Sequence, residues 1–219
     1  MQYVIGIVAA GVLVVGWVWR MRYAAVRGAA TVACAGLPRR AGERCGVDGT
    51  ASAYGVRPAP FSGRPCVWYH VRATAKLRTG KRVFLDERSD APLVVEDATG
   101  RLPVPPEGAF VDGAVRSFDE RRTSNGDLPG LPSEDVVRYR YEEWILEPGR
   151  PLYVVGTTVE SPHGITLGAA DGQFMVSARG ARALRRRALG FMAAGYGGGA
   201  LLLVAAVAVA VMDAVSDDG

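Results

Sequence analysis

Between Val67 and Arg78 the chain alternates residue by residue. Val67, Tyr69, Val71, Ala73, Ala75 and Leu77 interleave with Trp68, His70, Arg72, Thr74, Lys76 and Arg78. A period of two places one set on each face of a half-buried antiparallel strand. Further runs of strand character follow at Arg82–Asp86, Leu93–Glu96, Leu102–Val104, Ala114–Asp119, Val137–Leu146, Leu152–Val159 and Phe174–Val176. They are separated by Gly, Pro and Asp punctuation such as Thr79-Gly80, Ala98-Thr99-Gly100 and Glu147-Pro148-Gly149. Short strands with frequent turns predict a mainly β fold over residues 28–178, a compact antiparallel β-rich barrel or sandwich. Residues 123–135, rich in Ser, Asn, Gly, Pro and acid, read as its one long loop.

The two ends of the chain follow a different pattern. Leu189 to Met212 is a run of 24 residues without a charge. At about 1.5 Å per residue it is long enough for a hydrocarbon core of about 30 Å. Tyr3 to Trp19 is a second uncharged run, of 17 residues, closed by Trp17, Trp19, Arg20 and Arg22. It lacks the positive n-region of a signal peptide and reads as a retained anchor. The expectation is therefore a β-rich domain between two transmembrane α-helices, at 1–22 and 189–212. A basic helix at 179–188, capped by Ser177, precedes the second span, and an acidic tail at 213–219 follows it. Arg20 and Arg22 follow the first span, and Arg182, Arg185, Arg186 and Arg187 precede the second. The positive-inside rule then places the domain in the cytoplasm and both termini outside a cell membrane. Small residues at four-residue spacing, Gly6 with Ala10, Gly190 with Ala194 and Gly195 with Gly199, offer faces for helix–helix association in lipid.

Charge changes one conclusion. The net charge of +4 and pI near 9.1 invite a nucleic-acid reading, but residues 28–178 hold 18 basic and 19 acidic residues. The basicity sits beside the apolar runs, where anionic lipid headgroups are the partner, and nucleic acid is set aside. Lys76 and Lys81 are the only lysines among 26 basic residues, a usage expected of a GC-rich bacterial genome. Cys34, Cys45 and Cys66 are too few and too scattered for a disulfide framework and fit a reducing compartment, with room for at most one bridge.

Candidate chemistry is sparse. His70 and His163 are far apart and no two cysteines approach C-x-x-C spacing, so neither a metal site nor any cofactor is expected. His70 falls on the polar alternation of its strand and reads as a solvated surface residue, and His163 as a turn residue. Glu142 and Glu143 point to opposite faces, so they do not pair for acid–base work. The Glu96-Asp97 pair enters a turn at Thr99-Gly100 that an aspartate stabilises locally. Gly195 to Ala200 fits G-x-G-x-x-A but lies inside an apolar run without a preceding strand, which removes its meaning. Arg72, Lys76 and Arg78 share one strand face and Arg138 and Arg140 another, with Trp68 and Trp144 on the same alternations. If these strands are neighbours, they form a basic patch with aromatics, suited to an acidic partner or lipid headgroups. The competing reading is a solvated face whose charges blunt edge pairing.

Four motifs in order resemble one family. They are Pro60-Phe61-Ser62-Gly63-Arg64-Pro65-Cys66-Val67-Trp68-Tyr69, Val95 to Arg101, Pro106 to Ala109, and Trp144 to Gly149 running on to Tyr153-Val154-Val155-Gly156. Together they resemble the GIDE domain, the β-rich beside-a-membrane domain of mulan-type mitochondrial E3 ubiquitin ligases and their bacterial relatives. The resemblance implies a domain with a span on each side that senses or binds a protein partner at the membrane. In the ligases a RING finger follows, holding two zincs through eight Cys and His ligands. Three Cys and two His here are too few for one. The resemblance therefore implies a tethered, non-enzymatic interaction module, the alternative being an E3-type ubiquitin transferase or an accessory of one. Ser62, Gly63, Arg64, Pro65 and Cys66 are the motif residues to which a binding role would carry over. A tight turn entering a buried strand is their other explanation.

Overall fold

A computed structural model describes residues 29–37, 41–123, 136–162, 164–170 and 174–217, together with Gly11, Val14 and Trp17. His163, Arg20, Arg22, the body of the loop at 123–135 and most of the run Tyr3–Trp19 lie outside the described residues.

The β-rich unit spans Ala30–Gly180, and its described residues form fourteen strands. They are β1 (Ala30–Val32), β2 (Arg44–Ala51), β3 (Arg57–Pro58), β4 (Pro65–Cys66), β5 (Trp68–Leu77), β6 (Gly80–Arg88) and β7 (Leu93–Asp97), then β8 (Gly100–Val104), β9 (Phe110–Asp112), β10 (Val115–Thr123), β11 (Val136–Leu146), β12 (Pro151–Ser161), β13 (Gly164–Gly168) and β14 (Met175–Ser177). The larger sheet has the order β8-β7-β2-β12-β14-β9, with β1 added to β2 and β13 to β12. A separate four-stranded antiparallel sheet has the order β10-β11-β5-β6, and β3 and β4 form a two-stranded ribbon.

The fold is mainly β, as the alternation predicts, but among the described residues the sheets are open and no barrel closes. Nor is every pair antiparallel, since β1 pairs with β2 and β9 with β14 in parallel. Periodicity fixes which side chains share a face and is silent on closure and strand direction. The long antiparallel strands β5 and β11 run alongside each other over their whole length. The flanking strands β6 and β10 carry the charges that deter further edge pairing.

The main core lies where the beginning of β5 and the end of β11 meet the larger sheet. Val67, Trp68 and Leu146 cluster there with Val47, Val95, Val104, Leu152, Val154, Leu167 and Val176, and the Val67 amide donates to the Leu146 carbonyl at 2.9 Å. Two glycines make the packing possible. A Cβ on Gly46 would collide with the ring and hydroxyl of Tyr153, and one on Gly49 would lie 2.5 Å from the Glu96 carbonyl oxygen.

The described helix, α1, runs unbroken over Gly180–Asp217 and carries the backbone of Arg182, Arg185, Arg186 and Arg187. It begins at Gly180, and Ser177 does not cap it. Ser177 is the buried last residue of β14, and its hydroxyl accepts from the Arg179 amide at 3.3 Å, a local turn bond two residues on. Among the described residues no helix is long and apolar enough to cross a membrane. Within the run Leu189–Met212, the side chains at positions 192, 202, 203 and 206–212 lie outside the description.

Candidate functional site

The register of the four-stranded sheet assembles one exposed face row by row. Arg138 of β11 stands opposite Lys76 of β5, which stands opposite Lys81 of β6. In the next row Arg121 of β10 faces Arg140, which faces Thr74, which faces Val83. The third row is Asp119, Glu142, Arg72 and Asp86, and the fourth Arg116, Trp144, His70 and Arg88. The face thus grades from cationic, through mixed charge, to aromatic.

A groove of about 400 Å³ opens over the cationic end, lined by Lys76, Lys81, Arg121, Arg138, Arg140 and Arg72, with Thr74, Val83 and Glu142. Four of the five residues of the sequence-predicted patch converge on it. Arg78 does not, because it sits in the turn joining β5 to β6. Lys81 and Arg121 join them, and neither was marked in the sequence because their strands' pairing partners could not be read there.

The third row neutralises itself. Arg140 reaches Asp119 at 2.9 Å and Glu142 at 3.1 Å, Arg116 reaches the same two carboxylates at 2.8 and 3.2 Å, and Arg72 lies 3.4 Å from Asp86. Hydrogen bonding and charge from Arg140 hold the Asp119 carboxyl below the usual carboxylate range. Asp86 is likewise lowered, first by its bond to His70. His70 is therefore not the solvated residue its alternation suggests. Its Nε2 lies 2.7 Å from Asp86, and its ring stacks on Trp144 at 5.3 Å, with Arg116 5.4 Å from the Trp144 ring. Cross-strand contact gives it partners that no one-dimensional pattern contains.

The opposite face holds the family motif. A tight turn runs from β3 to β4, closed by the Ala59 amide on the Arg64 carbonyl at 2.8 Å and the Gly63 amide on the Ala59 carbonyl at 2.9 Å. Gly63 has φ +67, the left-handed region that favours glycine. Ser62 and Arg64 flank it, with Arg64 ion-paired to Glu147 at 2.5 Å. Pro65 pairs with Pro58, and Cys66 is wholly buried against Ala59 and Ile145.

Glu143 anchors this turn. Its carboxylate is fully buried and accepts from the Phe61 amide at 2.6 Å, the Ser62 amide at 3.4 Å, the Ser62 hydroxyl, and the Ser117 hydroxyl at 2.5 Å. Burial pushes its pKa up, but the four hydrogen bonds outweigh that and hold it below the usual carboxylate range. The turn presents Phe61 to Phe118 and Tyr141, with ring centroids 5.7 and 5.9 Å apart. These rings, with Pro60 and Arg122, line a second hollow of about 290 Å³. Sequence reasoning missed Glu143 and Ser117. An acidic residue beside the apolar Ile145 and Leu146 in a strand was the available signal.

Cys34, Cys45 and Cys66 are free thiols and all buried. Burial, and then the charge of Asp97, pushes the Cys34 thiol up to about 11, which makes it a poor nucleophile. Among the described residues no group of three or more His, Cys, Asp or Glu is placed to hold a metal ion. The arrangement is a cationic groove on one face of a sheet and an aromatic hollow held by a pinned turn on the other.

A protein-family model described as GIDE, E3 ubiquitin ligase, matches residues 69–210, well over half of the chain. No curated protein and no solved structure matches it.

Proposed function

The chain belongs to the GIDE family, and we propose that it acts as a membrane-tethered, non-enzymatic module that senses or binds a partner through its β-rich unit. The cationic groove carries this reading. It is a formed, exposed groove, and the adjoining carboxylates are engaged in ion pairs rather than poised as an acid and a base. An acidic protein surface or lipid headgroups suit its charge. Replacing Arg138 and Arg140 by alanine is expected to weaken partner capture.

Tethering is supported by the chain itself. That support lies in the sequence: as a helix, the uncharged 24-residue run Leu189–Met212 is about 36 Å long at the helical rise, longer than a hydrocarbon core. Arginines stand on its N-terminal side, the flank that stays in the cytoplasm. The proposed topology has two spans, both termini outside and the β-rich unit inside a cell membrane. Small-residue faces of the spans are available for helix association.

Thiol labelling of intact cells tests the topology. The native cysteines are buried and give little background, so a Tyr54→Cys variant, at a side chain 73% exposed, reports on the domain. It should react with a membrane-impermeant maleimide only after lysis. Reaction in intact cells would place the domain outside and end the cytoplasmic reading.

The family description favours one second reading, an E3-type ubiquitin transferase or an accessory of one. That reading requires stoichiometric zinc or ubiquitin transfer in a reconstituted assay, and a metal-free, inactive full chain would eliminate it.

A further inference from the structure

We propose that the cationic end of the four-stranded sheet binds a compact, multiply charged phosphate ligand, a diphosphate or bisphosphate, between Lys76, Lys81, Arg121 and Arg138. This rests on the interaction-module reading above and names the ligand class of its groove.

The first support is the register. Arg138, Lys76 and Lys81 stand directly opposite one another across three adjacent strands, and Arg121 stands opposite Arg140 in the neighbouring row. Like charges directly opposite on one face repel and destabilise a sheet. Among the described residues, the neighbouring carboxylates that could relieve this are already engaged. Asp119 and Glu142 hold Arg140 and Arg116, and Asp86 holds His70 and Arg72. Among the described residues none of the four proposed ligands forms an ion pair. Among the described residues the arrangement holds no counter-anion, and a ligand can supply one.

Dimensions and charge select the ligand. Strands lie about 4.8 Å apart and successive same-face residues about 7 Å apart along a strand, so the four cations surround a space about two phosphate groups across. Two phosphates that keep a terminal, doubly ionisable group carry about three to four negative charges, which matches four cations. Two carboxylates would supply only two. Arginine forks and lysine ammonium groups are the side chains suited to phosphate oxygens. The groove volume of about 400 Å³ falls at the small-ligand end of the range for binding sites.

The self-neutralised third row limits the ligand to a compact one. Asp119, Glu142 and Asp86 border the cationic end and occupy the arginines beside them, so that row offers no free cation to an anion extending along the groove, which opposes a nucleic-acid strand.

The test uses the purified full chain in micelles of an uncharged detergent, titrated calorimetrically with inorganic pyrophosphate and, separately, with methyl diphosphate, the headgroup of a lipid diphosphate. Saturable one-site binding of either anion is expected. Tighter binding of pyrophosphate points to a soluble ligand, and tighter binding of the headgroup to a lipid. A K76Q/K81Q double variant should raise the Kd about tenfold or more, while R101Q, at an ion pair on the other sheet, should leave it unchanged. Thermal unfolding adds an independent readout. Pyrophosphate should raise the Tm of the wild type and not of K76Q/K81Q, and the ligand-free double variant should melt no lower than the wild type. Failure of both anions to bind, or wild-type affinity in K76Q/K81Q, overturns the proposal. Labelling of the Tyr54→Cys variant would still report the tethered topology in that event, so the two readings fail separately.

Discussion

Replacing Glu143 should loosen the family-motif turn by an amount that can be worked out from its partners. The carboxylate accepts four hydrogen bonds, from the Phe61 and Ser62 amides and the Ser62 and Ser117 hydroxyls. Bonds to a charged group are worth about 1.5–3 kcal/mol each and neutral ones about 0.5–1.5 kcal/mol. Glu143→Gln keeps the shape: its oxygen can take the two amides, and its NH2 can donate to the two hydroxyls once they rotate. It loses about 1 kcal/mol per bond, partly offset because the wild type desolvates a charge, leaving a net loss of about 2 kcal/mol. Glu143→Ala leaves four polar groups without their acceptor. It should cost about 3 kcal/mol, the low end for breaking a buried charged site, because Phe61 and Ser62 are only half-buried and admit water. The pH dependence supplies a second signature. With its folded pKa depressed, Glu143 contributes its full stabilisation above the unfolded value near 4.3. That contribution is lost as pH falls through the folded pKa, because the unfolded chain takes up the proton first. Urea unfolding of the full chain in micelles at pH 7 and near pH 4, followed by tryptophan fluorescence, should show a smaller acid loss in Glu143→Gln. Amide exchange in the peptide 59–66 should rise sharply in Glu143→Ala. Equal midpoints and equal acid losses in wild type and Glu143→Gln would mean that the buried charge costs as much as its bonds return, and would refute the reasoning.

Three other outcomes follow from single contacts. Tyr153 is fully buried and, among the described residues, its hydroxyl has no hydrogen-bond partner, so Tyr153→Phe should raise stability by about 1 kcal/mol in the same unfolding assay. Gly49→Ala drives a methyl group into the Glu96 carbonyl and should destabilise by about 1–3 kcal/mol, read as a lowered urea midpoint. Asp97 accepts from the Cys34 amide at 2.7 Å and from the Thr99 amide at 2.7 Å. Asp97→Asn should therefore loosen the short 3-10 turn Cys34–Gly36 and raise the rate at which Cys34 reacts with a thiol reagent, measured by mass spectrometry, with Cys66 as the internal control.

The clearest strand in the sequence is β5, where Val71, Ala73, Ala75 and Leu77 alternate with polar residues and chemistry alone dictates which way they turn. β11 is legible from Tyr139, Tyr141 and Ile145 alternating with charged positions, and β12 from a continuous apolar run, Leu152 to Val155, buried on both faces. β2 was not legible. Its Gly46 and Gly49 leave no side chain where the pattern would show one, and they are glycines because Tyr153 and the Glu96 carbonyl occupy that space. Trp68 shows the converse. It falls on the polar alternation, yet is 4% exposed, because the beginning of β5 leaves the open sheet face and enters the core shared with the larger sheet. The Asp97 turn was legible, since its bonds to Thr99 and Gly100 span two and three residues and need no tertiary partner.

The site divides along the same line between local and non-local information. Arg72 and Lys76 could be placed on one face of their strand, and Arg138 and Arg140 on one face of theirs, from spacing alone. That these faces are the same face depends on the pairing of β5 with β11. That Lys81 and Arg121 complete it depends on β6 and β10, and two bulges, at Ala73/Thr74 and Arg116/Phe118, shift the parity along those strands. A bulge inserts one residue and reverses the face of everything beyond it, so reading the charges at a period of two along β6 assigns half of them wrongly. The same pairing explains Glu143. It is one residue from Glu142 and has a wholly different fate. Glu142 turns toward Arg116 and Arg140 on the charged face, whereas Glu143 turns under the motif turn, where two serines and two amides await a charge. Alternation separates the two carboxylates, but only the turn delivered by β3 and β4 makes one of them a pin. The motif Ser62 to Cys66 and the charged groove thus occupy opposite faces of one sheet, and each can be altered without touching the other.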